Sequence, residues 1–598
     1  AKRRANATLI SYMTPAIAHA GLYRGLADLK AGIERWRMTD PAITDVREDL
    51  ALIIREQSEA LDLTMPGEDW QGDASAAISK LAERLYETEQ TLIPEGLHVV
   101  GEPMARAARV ELLSAIAQAQ AEGALPVAAI EALADGLGPA GAAVKAALVP
   151  SEAQQKLLAT LAAANDGLSR DTELPARLHA LDGGFVRPAP GGDVLRNPEV
   201  LPSGRNLHGF DPFRLPSGFA IRDGAAQAER LLERAIADDG RLPETVAMVL
   251  WGTDNLKAEG APMAQAMALM GTRPRFDNYG RACGAELIPL TELGRPRIDV
   301  VATLSGIFRD LLPLQIRMLA EAALLASQAD EPLDHNFVRK HTLAHQAALG
   351  CDLETAALRV FSNADGTYGA NVNQLIDAGC WQEEGELADA FEARKGFAYG
   401  CNGRAQAQHK LLASALKDVD LAFQNLDSVE LGVTTLDQYV DTLGGIARAV
   451  RRAKGHDIHV YVGDQTQGRP KIRSLGEQVA LETRTRTLNP RWYEAMLHHG
   501  YEGVRQIEAQ VTTTLGWSAT TGEVAPWVYQ KISETFVLDE TMRARLAALN
   551  PKAAVRMANR RMEAHERQYW RPDAATLDAL RDAANDLEDR LEGVSTAA

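Results

Sequence analysis

The chain has 598 residues, of which 46% are hydrophobic and 24% charged, the balance of a folded globular protein rather than a disordered or fibrous one. At roughly 100–200 residues per domain, this length predicts about three to five structural units. The formal net charge of -18 and the isoelectric point near 5.3 argue against a basic, phosphate-binding surface, so we expect no nucleic-acid partner.

The cysteines and the apolar runs indicate the kind of compartment. The four cysteines lie far apart and form no CxxC pair, which argues against a disulfide framework or a structural zinc site. No apolar run approaches the roughly 18 residues that span a bilayer. The chain starts without Met, and a strand-like run follows at 8–12, as though a domain had been entered midway. We therefore expect a cytoplasmic protein, at most peripheral to a membrane, with further sequence upstream.

The first part of the chain predicts two units in which a strand turns directly into a helix. Residues 8–13 form the first strand and 21–37 its helix, and residues 97–101 lead into a helix at 104–120. An Ala- and Leu-rich stretch with helical periodicity follows, up to about residue 164. We interpret 1–104 as an α/β segment that continues a domain begun upstream, and 105–180 as a helical insertion.

The composition changes at residue 182, where a long irregular segment begins. Loops beyond about 12–15 residues in compact domains are usually functional or disordered. Strands are predicted at 245–251, 298–304 and 458–462, and polar residues follow the first two strands. We predict an α/β fold built from parallel-sheet strand-turn-helix units, with an α/β domain at 181–345 that includes the irregular loop. A mainly helical domain with a late strand, at 346–598, would build the ligand cavity.

Several ordered motifs resemble those of one enzyme family. They are Leu201-Pro202-Ser203-Gly204-Arg205-Asn206 continuing to Phe210-Asp211-Pro212-Phe213, Leu250-Trp251-Gly252-Thr253-Asp254-Asn255, Gly294-Arg295-Pro296-Arg297, Gln424-Asn425-Leu426-Asp427-Ser428, Asn489-Pro490-Arg491-Trp492 and His499-Gly500-Tyr501-Glu502-Gly503. This set resembles the large subunits of magnesium chelatase and cobaltochelatase, and it covers most of the chain from about residue 182 to 592. Segment 1–29 also resembles an internal part of these proteins.

The two branches of this family share the motifs. Phe213-Arg214-Leu215-Pro216 and the acidic Glu502 resemble the magnesium branch, since the cobalt branch tends to carry a basic residue at the latter place. The resemblance implies a porphyrin-binding catalytic subunit that inserts Mg²⁺ into protoporphyrin IX in (bacterio)chlorophyll synthesis, in the cytoplasm or the plastid stroma. Two alternatives remain open: cobalt insertion in cobalamin synthesis, and a tetrapyrrole carrier or sensor without chemistry of its own.

The chemistry of the reaction indicates partners. Mg²⁺ prefers oxygen ligands and gives up its water reluctantly, so an external energy source is expected. No GxxxxGK[ST] sequence occurs in the chain. The resemblance implies that ATP is used by two partner subunits, an AAA+ ATPase and its AAA+/integrin-I-like companion.

The strongest local candidate for the insertion step is a predicted helix at 492–505. On such a helix Glu494, His498 and Glu502 share one face, and His499 and Glu502 are i, i+3 neighbours. The imidazole of His499 could accept a pyrrole proton, and the carboxylate of Glu502 could ligate Mg²⁺. The alternative is that Glu502 pairs with Arg505 and that the histidine is a core or surface residue.

Further candidates belong to the porphyrin and metal contacts. Arg484 and Arg486 could bind propionates in bidentate fashion. The metal-facing candidates besides Glu502 are Glu482 and Asp427. The alternatives are a solvated Glu482–Arg486 pair and side-chain capping by Asp427.

The family motifs add three porphyrin-contact candidates, Arg205, Asn206 and Trp251. For Arg205, bracing of its own loop is the alternative. Asp254 and Asn255 follow a predicted strand, where helix capping explains one of them. Ser305 follows the next strand, where the alternatives are an N-cap turn and a close approach of the backbone to ligand.

Overall fold

The structure is a computed structural model that describes residues 7–64, 70, 73–120, 124–189, 191–207, 211–466 and 470–594. Residues 208–210, in the middle of the motif at 201–213, lie outside this described part, as do residues 1–6.

Fourteen strands occur in the described part of the chain. They are β1 (Ala16–His19), β2 (Leu92–Glu95), β3 (Pro188–Ala189), β4 (Asn206–Leu207), β5 (Thr245–Leu250), β6 (Thr272–Phe276), β7 (Ala282–Leu287), β8 (Asp299–Leu304), β9 (Val360–Ser362), β10 (Phe397–Tyr399), β11 (Ala405–Ala407), β12 (Leu421–Leu426), β13 (His459–Asp464) and β14 (Lys471–Ser474).

A central sheet of eight strands organises the fold, in the order β11-β10-β9-β8-β5-β12-β13-β14. The five inner strands from β9 to β13 run parallel. On either side, β10 and β14 are antiparallel to them, and the edge strand β11 is antiparallel to β10. The predicted α/β class with parallel strand-turn-helix units is confirmed.

Helices cover both faces of this sheet, and β5 shows why. All six residues of β5 are buried, and its side chains alternate between two cores. Val246 and Met248 join a core with the helices that precede β8, whereas Ala247 and Val249 join the larger core formed with the C-terminal helices. A strand that is apolar on both faces must be covered on both.

Helices fill the remainder of the described chain. Before β5 they are Gly25–Met38, Thr44–Ala60, Ala74–Gln90, Arg106–Ala119, Val127–Ala134, Pro139–Lys145, Glu152–Leu168, Glu173–Leu181 and Gly218–Asp239. Between β5 and β12 they are Gly252–Lys257, Ala261–Leu269, Leu290–Leu293, Gly306–Leu311, Pro313–Gln328, Phe337–Leu349, Leu353–Ala356, Val372–Ala378, Glu384–Lys395 and His409–Ala415.

The part of the chain that follows β14 is almost entirely helical. After β12 the helices are Asp437–Tyr439, Gly445–Lys454, Leu475–Glu482, Pro490–Leu497, Gly500–Thr520, Pro526–Ser533, Glu540–Leu549, Pro551–Glu566 and Ala574–Glu592. Three π-helical turns, Val440–Gly444, Thr483–Thr487 and Glu534–Leu538, continue helices of this region, and two short 3₁₀ turns, Pro198–Val200 and Pro212–Arg214, lie in the irregular loop.

The first two predicted strands are wrong in position, and they do not belong to parallel strand-turn-helix units. The strand forms at β1 rather than at 8–13, and at β2 rather than at 97–101, and the two pair antiparallel with each other. Ile17 and Ile93 are fully buried in this pair, whereas Leu9 and Tyr12 are exposed. The apolar residues that decide the strand therefore lie a few positions away from the run that the pattern favoured.

The helices from Arg106–Ala119 to Glu152–Leu168 enclose a core of their own, built largely from Leu and Ala. The four-part division of the chain stays a prediction. Among the described residues, no helix has both the length and the apolar character needed to cross a membrane.

Candidate functional site at the carboxyl edge of the sheet

The carboxyl edge of the sheet has one topological switch point, between β5 and β12. These neighbouring parallel strands pair from Leu421 with Val246 to Gln424 with Val249. From β5 the sheet continues to β8 and β9, and from β12 it continues in the opposite direction to β13. Ligands of open α/β sheets bind at such a point, because the diverging connections leave a crevice there.

Two buried carboxyl groups lie at this point, and the charge of one affects the pKa of the other. Asp254 lies in the first turns after β5, and Asp427 follows β12 directly; they are 2% and 3% exposed. Burial, and then the Asp427 carboxylate, hold the pKa of Asp254 well above its usual value. Burial also raises the pKa of Asp427, to about 6, against the lowering effect of Arg196. The pair therefore holds protons more readily than ordinary carboxyl groups do.

Aromatic side chains line the same place. The Trp251 Nε1 donates to Gln424 Oε1 at 3.1 Å, and the Trp251 ring lies 5.2 Å from the ring of Tyr439. Burial raises the pKa of the Tyr439 hydroxyl, and Asp254, Asp427 and Glu482 add to this. Trp251 contacts Tyr439, and the charge of Asp427 affects the pKa of the Tyr439 hydroxyl, so both predicted residues belong to one cluster with this tyrosine.

Five buried polar atoms of this cluster have no hydrogen-bond partner within the described part of the chain. They are Asp254 Oδ2, Asp427 Oδ2, Tyr439 Oη, Gln424 Nε2 and Gln265 Nε2. A buried polar group that makes no hydrogen bond costs about 1–3 kcal/mol. Proteins keep such groups mainly where function requires them, so this concentration marks a site.

The irregular loop closes one side of the cluster. Arg196 Nη2 donates to Asp427 Oδ1 and to the carbonyl of Gln465, both at 3.1 Å. Ser428 Oγ donates to Asp193 Oδ2 at 3.3 Å. A cavity of about 150 Å³ lies against Asp427 and Arg196. This volume suits an ion or a few water molecules and is too small for a macrocycle.

Glu482 and Arg486 hold the segment that follows Asp427. The Glu482 carboxylate accepts from the backbone amides of Val433 and Thr434, both at 2.9 Å. Arg486 Nη2 donates to the carbonyls of Val429 and Leu431 at 2.8 and 3.0 Å. Both side chains are buried, so the alternative of a solvated pair is wrong. Their position supports an orienting function; the predicted metal and porphyrin contacts stay predictions.

Arg484 lies on the same π-helical turn but points elsewhere. Its Nη2 donates to the carbonyls of Leu61 and Asp62 at 3.3 and 2.8 Å, and its guanidinium carbon lies 4.1 Å from the centre of the Trp527 ring. Arg484 and Arg486 therefore do not serve one pocket.

Asn206 is the first residue of β4 and Arg205 precedes it, and neither belongs to the switch-point cluster. Arg205 donates from Nε to the carbonyl of Pro202 at 3.0 Å and from Nη2 to that of Leu201 at 3.2 Å. The Asn206 side-chain oxygen accepts from the amide of Leu9 at 3.3 Å. The geometry agrees with the bracing alternative, and the predicted porphyrin contacts are untested.

The predicted helix at 492–505 is interrupted, which separates its residues. One helix ends at Leu497 and the next begins at Gly500, whose φ of 58° reverses the backbone. Glu494, His498 and Glu502 therefore do not share one face. A side chain at Gly503 would collide with the carbonyl of Met496, so the glycine allows the two helices to meet.

His499 and Glu502 have separate partners. The His499 Nε2 accepts from the amide of Leu97 at 2.9 Å, beside a cavity of about 240 Å³ that also contains His98. The Glu502 carboxylate accepts two hydrogen bonds from Arg505, at 2.8 and 2.6 Å, and is half-exposed. The roles predicted for both residues in the insertion step stay predictions.

The sequence patterns pointed to none of Tyr439, Gln265 and Arg196, and at Asp254 they favoured a helix cap. The helix after β5 has Trp251 at its N-cap, so the capping expectation for Asp254 is wrong, whereas Ser305 does cap its helix by accepting from Phe308 N at 3.2 Å. A usable signal was present for Asp254, because it follows soon after the apolar run 246–250 of β5.

Comparisons with known proteins agree with the predicted resemblance. A family model described as CobN/Magnesium Chelatase matches residues 1–141 and 128–577. The chain belongs to the CobN/magnesium chelatase family. Within this family it is 55% identical over 596 residues to the magnesium-chelatase H protein of Cereibacter sphaeroides, and 55% identical over 597 residues to that of Rhodobacter capsulatus. These matches cover 100% of this chain and 46% of each relative.

A solved structure of the CobN/magnesium chelatase family has the same fold. The catalytic subunit of cobaltochelatase from Mycobacterium tuberculosis superposes with a TM-score of 0.91 at 31% identity, over 98% of this chain and 53% of that one. Aerobic cobaltochelatase subunit CobN of a Sinorhizobium species is 33% identical over 71% of this chain and 33% of its own length. The chain spans about half the length of the magnesium-chelatase relatives it matches.

Proposed function

We propose that this chain is part of the large subunit of a magnesium chelatase, which binds protoporphyrin IX and inserts Mg²⁺ into it for (bacterio)chlorophyll synthesis. The observation that carries the proposal is the 55% identity, over the whole chain, to the magnesium-chelatase H proteins of two bacteria. Mg²⁺ and protoporphyrin IX are the substrates.

The carboxyl pair at the switch point suits this chemistry. Metal insertion removes two pyrrole protons and transfers Mg²⁺ from water to the ring. Asp254 and Asp427 each have an oxygen without a hydrogen-bond partner in the described structure, and Mg²⁺ prefers such oxygen ligands. The raised pKa of each group makes its ionised form a better proton acceptor. In this proposal Asp427 and Asp254 handle ion and protons, Trp251 is the predicted ring contact, and the buried Tyr439 packs against Trp251.

The energy source belongs to partners. The chain has no GxxxxGK[ST] sequence. We assign ATP hydrolysis to an AAA+ ATPase subunit and an AAA+/integrin-I-like companion, and we place the assembly in the cytoplasm, or in the plastid stroma of a plant.

Cobalt insertion is the second candidate. The cobaltochelatase subunit with a TM-score of 0.91 supports it, because the same fold serves the other metal. The lower identity of 31%, against 55% for the magnesium relatives, favours Mg²⁺.

The test is metal insertion by a complex reconstituted around the subunit that carries this chain. Asp254→Asn and Asp427→Asn should slow formation of the fluorescent magnesium porphyrin by about 10²-fold or more, the usual scale for general acid–base groups, while porphyrin binding persists. Offering Co²⁺ in place of Mg²⁺ separates the two candidates, and porphyrin binding without any insertion would identify a carrier.

The pair predicted from the sequence motif, His499 and Glu502, is tested with separate variants. His499→Ala and Glu502→Gln, compared with the two aspartate variants, show which carboxylate serves the reaction. Wild-type insertion rates in both aspartate variants would contradict the assignment to the switch point. Loss of insertion in the His499 and Glu502 variants, with unchanged thermal stability, would return the chemistry to the motif at 499–503.

A further inference from the structure

A third cavity, of about 510 Å³, is lined by none of the switch-point residues Asp254, Asp427, Trp251 and Tyr439. It is bounded on one side by the start of the helix Gly25–Met38 and by Leu61. On the other side are the π-helical turn Thr483–Thr487 and the helices Pro526–Ser533 and Glu540–Leu549. We call it the seam cavity, because segments from opposite ends of the chain meet in it. Its size is that of a pocket for one small organic ligand.

Flat and apolar surfaces make up much of the seam cavity. Tyr23, Tyr493 and Trp527 contribute aromatic rings, and Leu488 and Met542 contribute aliphatic surface. A neighbouring cavity of about 600 Å³ shares the Trp527 wall. Aromatic walls of this kind favour a planar ligand.

Most charges around the seam cavity are already neutralised by near neighbours. Arg545 makes two hydrogen bonds to Glu494, at 2.8 and 2.6 Å, and Lys531 Nζ lies 3.0 Å from Glu534. The Asp539 carboxylate caps the helix Glu540–Leu549 by accepting from the amide of Met542. These groups have little capacity left for a ligand.

Two arginines differ from this pattern. In the described part of the chain, neither Arg24 nor Arg484 forms an ion pair with a carboxylate. Arg24 Nη2 lies 3.4 Å from the Tyr493 hydroxyl, a long contact, whereas Arg484 donates only to backbone carbonyls. The remaining acid is Asp62, whose carboxylate makes no hydrogen bond to either arginine in the described structure; burial raises its pKa, and the charge of Arg484 lowers it.

The backbone at Arg24 is strained. Its φ of 46° and ψ of −134° place an arginine in a region that residues with a side chain rarely adopt. Such strain persists only where the surrounding structure enforces it, and it concentrates at ligand sites. Arg24 is also the N-cap of the helix Gly25–Met38, and its side chain caps no amide there. The positive end of that helix and the guanidinium thus lie at the same cavity wall.

Arg484 is held in place more firmly than a surface arginine. Its guanidinium stacks on Trp527, and the Tyr23 hydroxyl donates to its backbone carbonyl at 2.9 Å. Burial lowers the pKa of Arg484, to about 10, which leaves it charged at neutral pH. A fixed, desolvated guanidinium without a carboxylate partner is well suited to bind an anion.

We propose that the seam cavity binds a flat, largely apolar ligand that bears a carboxylate, with the ring system against Trp527 and the carboxylate at Arg24 or Arg484. A tetrapyrrole with propionate groups has this chemistry, and in that respect the inference rests on the proposed function. A smaller aromatic carboxylate has the same chemistry without the macrocycle.

Equilibrium titration of the whole chain tests the proposal with three probes: a soluble free-base porphyrin dipropionate, its dimethyl ester and 2-naphthoate. At least one of Arg24→Ala and Arg484→Ala should weaken binding of the acid by tenfold or more, and the ester should bind wild type as weakly. Arg273→Ala, an exposed arginine on β6 that removes the same charge, serves as the matched control and should bind like wild type.

The three probes distinguish a tetrapyrrole from a smaller aromatic carboxylate as the ligand. Arginine-dependent binding of the porphyrin alone identifies a tetrapyrrole site, and arginine-dependent binding of naphthoate as well identifies a site for aromatic carboxylates in general. Arg484→Lys guards against misfolding, because it retains the charge and should recover part of the affinity. Equal affinity of wild type, both alanine variants and the ester would overturn the proposal.

An assay of metal insertion distinguishes failure of this inference from failure of the proposed function. If Asp427→Asn abolishes insertion while Arg24→Ala and Arg484→Ala bind the porphyrin normally, the seam cavity proposal fails and the switch-point site stands. If the arginine variants lose binding and Asp427→Asn inserts Mg²⁺ at the wild-type rate, the seam cavity proposal stands and the assignment of the reaction to the switch point fails.

Discussion

Asp427 illustrates a conflict between folding and chemistry within one residue. A buried carboxyl group with a raised pKa is less stable when ionised, and the hydrogen bond from Arg196 compensates only in part. Natural proteins keep such a residue when its charge is needed for function. The conflict can be measured without any knowledge of the ligand.

Asp427→Asn should stabilise the protein in a pH-dependent way. Since the folded pKa is raised from 3.8 to about 6, ionisation lowers the free energy of unfolding as the pH rises through this range. Asparagine cannot ionise, so the variant should match wild type near pH 4 and exceed it above pH 6 by about 3 kcal/mol at most. Thermal melts of both proteins across this range measure the difference. A variant that is less stable than wild type at pH 8 would contradict the raised pKa.

Tyr439→Phe should not destabilise the protein, because the removed hydroxyl is buried without a hydrogen-bond partner in the described structure. We expect equal stability or a gain of about 1 kcal/mol, since a desolvation cost is removed and the contact with Trp251 remains. Tyr529→Phe is the matched control: its hydroxyl donates to Ser518 at 2.6 Å, and its loss should cost about 1 kcal/mol. Denaturant melts of the two variants should move in opposite directions.

Single residues of the switch point could be predicted in part. Trp251 directly follows the apolar run of β5, and Asp427 drew attention through the motif at 424–428. Tyr439 could not be found in this way, because it lies on a short helix twelve residues beyond Asp427 and reaches Trp251 only through the tertiary fold. Asp254 was missed because a polar residue after a strand also fits a helix cap.

At the level of elements, three buried strands of the central sheet were predictable, whereas β12, which is equally buried, was not, because Gln424 and Asn425 interrupt its apolar pattern. β5, β8 and β13 form where continuous apolar runs occur, to within two residues. β1 and β2 are four-residue strands that contain Ala, His and Pro, and only the pairing of one with the other defines them. The break before Gly500 was missed because helical spacing continues through it, while the collision at Gly503 is a property of packing.

Gly503→Ala should destabilise the joint between the helices Pro490–Leu497 and Gly500–Thr520. The new methyl group meets the carbonyl of Met496, a backbone atom that cannot move aside, so we expect a loss of about 1–3 kcal/mol. Gly385→Ala, in another helix with open space around it, should be neutral or slightly stabilising. Calorimetric melting of the two variants checks this. Equal melting temperatures would show that the joint relaxes without cost.

At the level of the whole molecule, the two ends of the chain are joined along one seam. Asn489 Nδ2 donates to the carbonyl of Ala20 at 2.9 Å, Arg491 Nη1 donates to that of His19 at 3.0 Å, and Leu97 N donates to His499. The family motifs at 489–492 and 499–503 therefore hold the first hundred residues against the C-terminal helices. No local sequence pattern could predict this docking, since its partners are about 400 or more residues apart.

Asn489→Ala should loosen this seam specifically. The variant removes the helix cap at Arg491 N and leaves the Ala20 carbonyl without its donor, at a cost of about 1–3 kcal/mol. Asn550→Ala is the matched control, because Asn550 is also a buried cap before a proline, but its Nδ2 donates within the C-terminal helices, to Tyr501. Limited proteolysis should cut residues 16–95 faster in Asn489→Ala alone. Equal cleavage of this segment in both variants would show that the seam is held by other contacts.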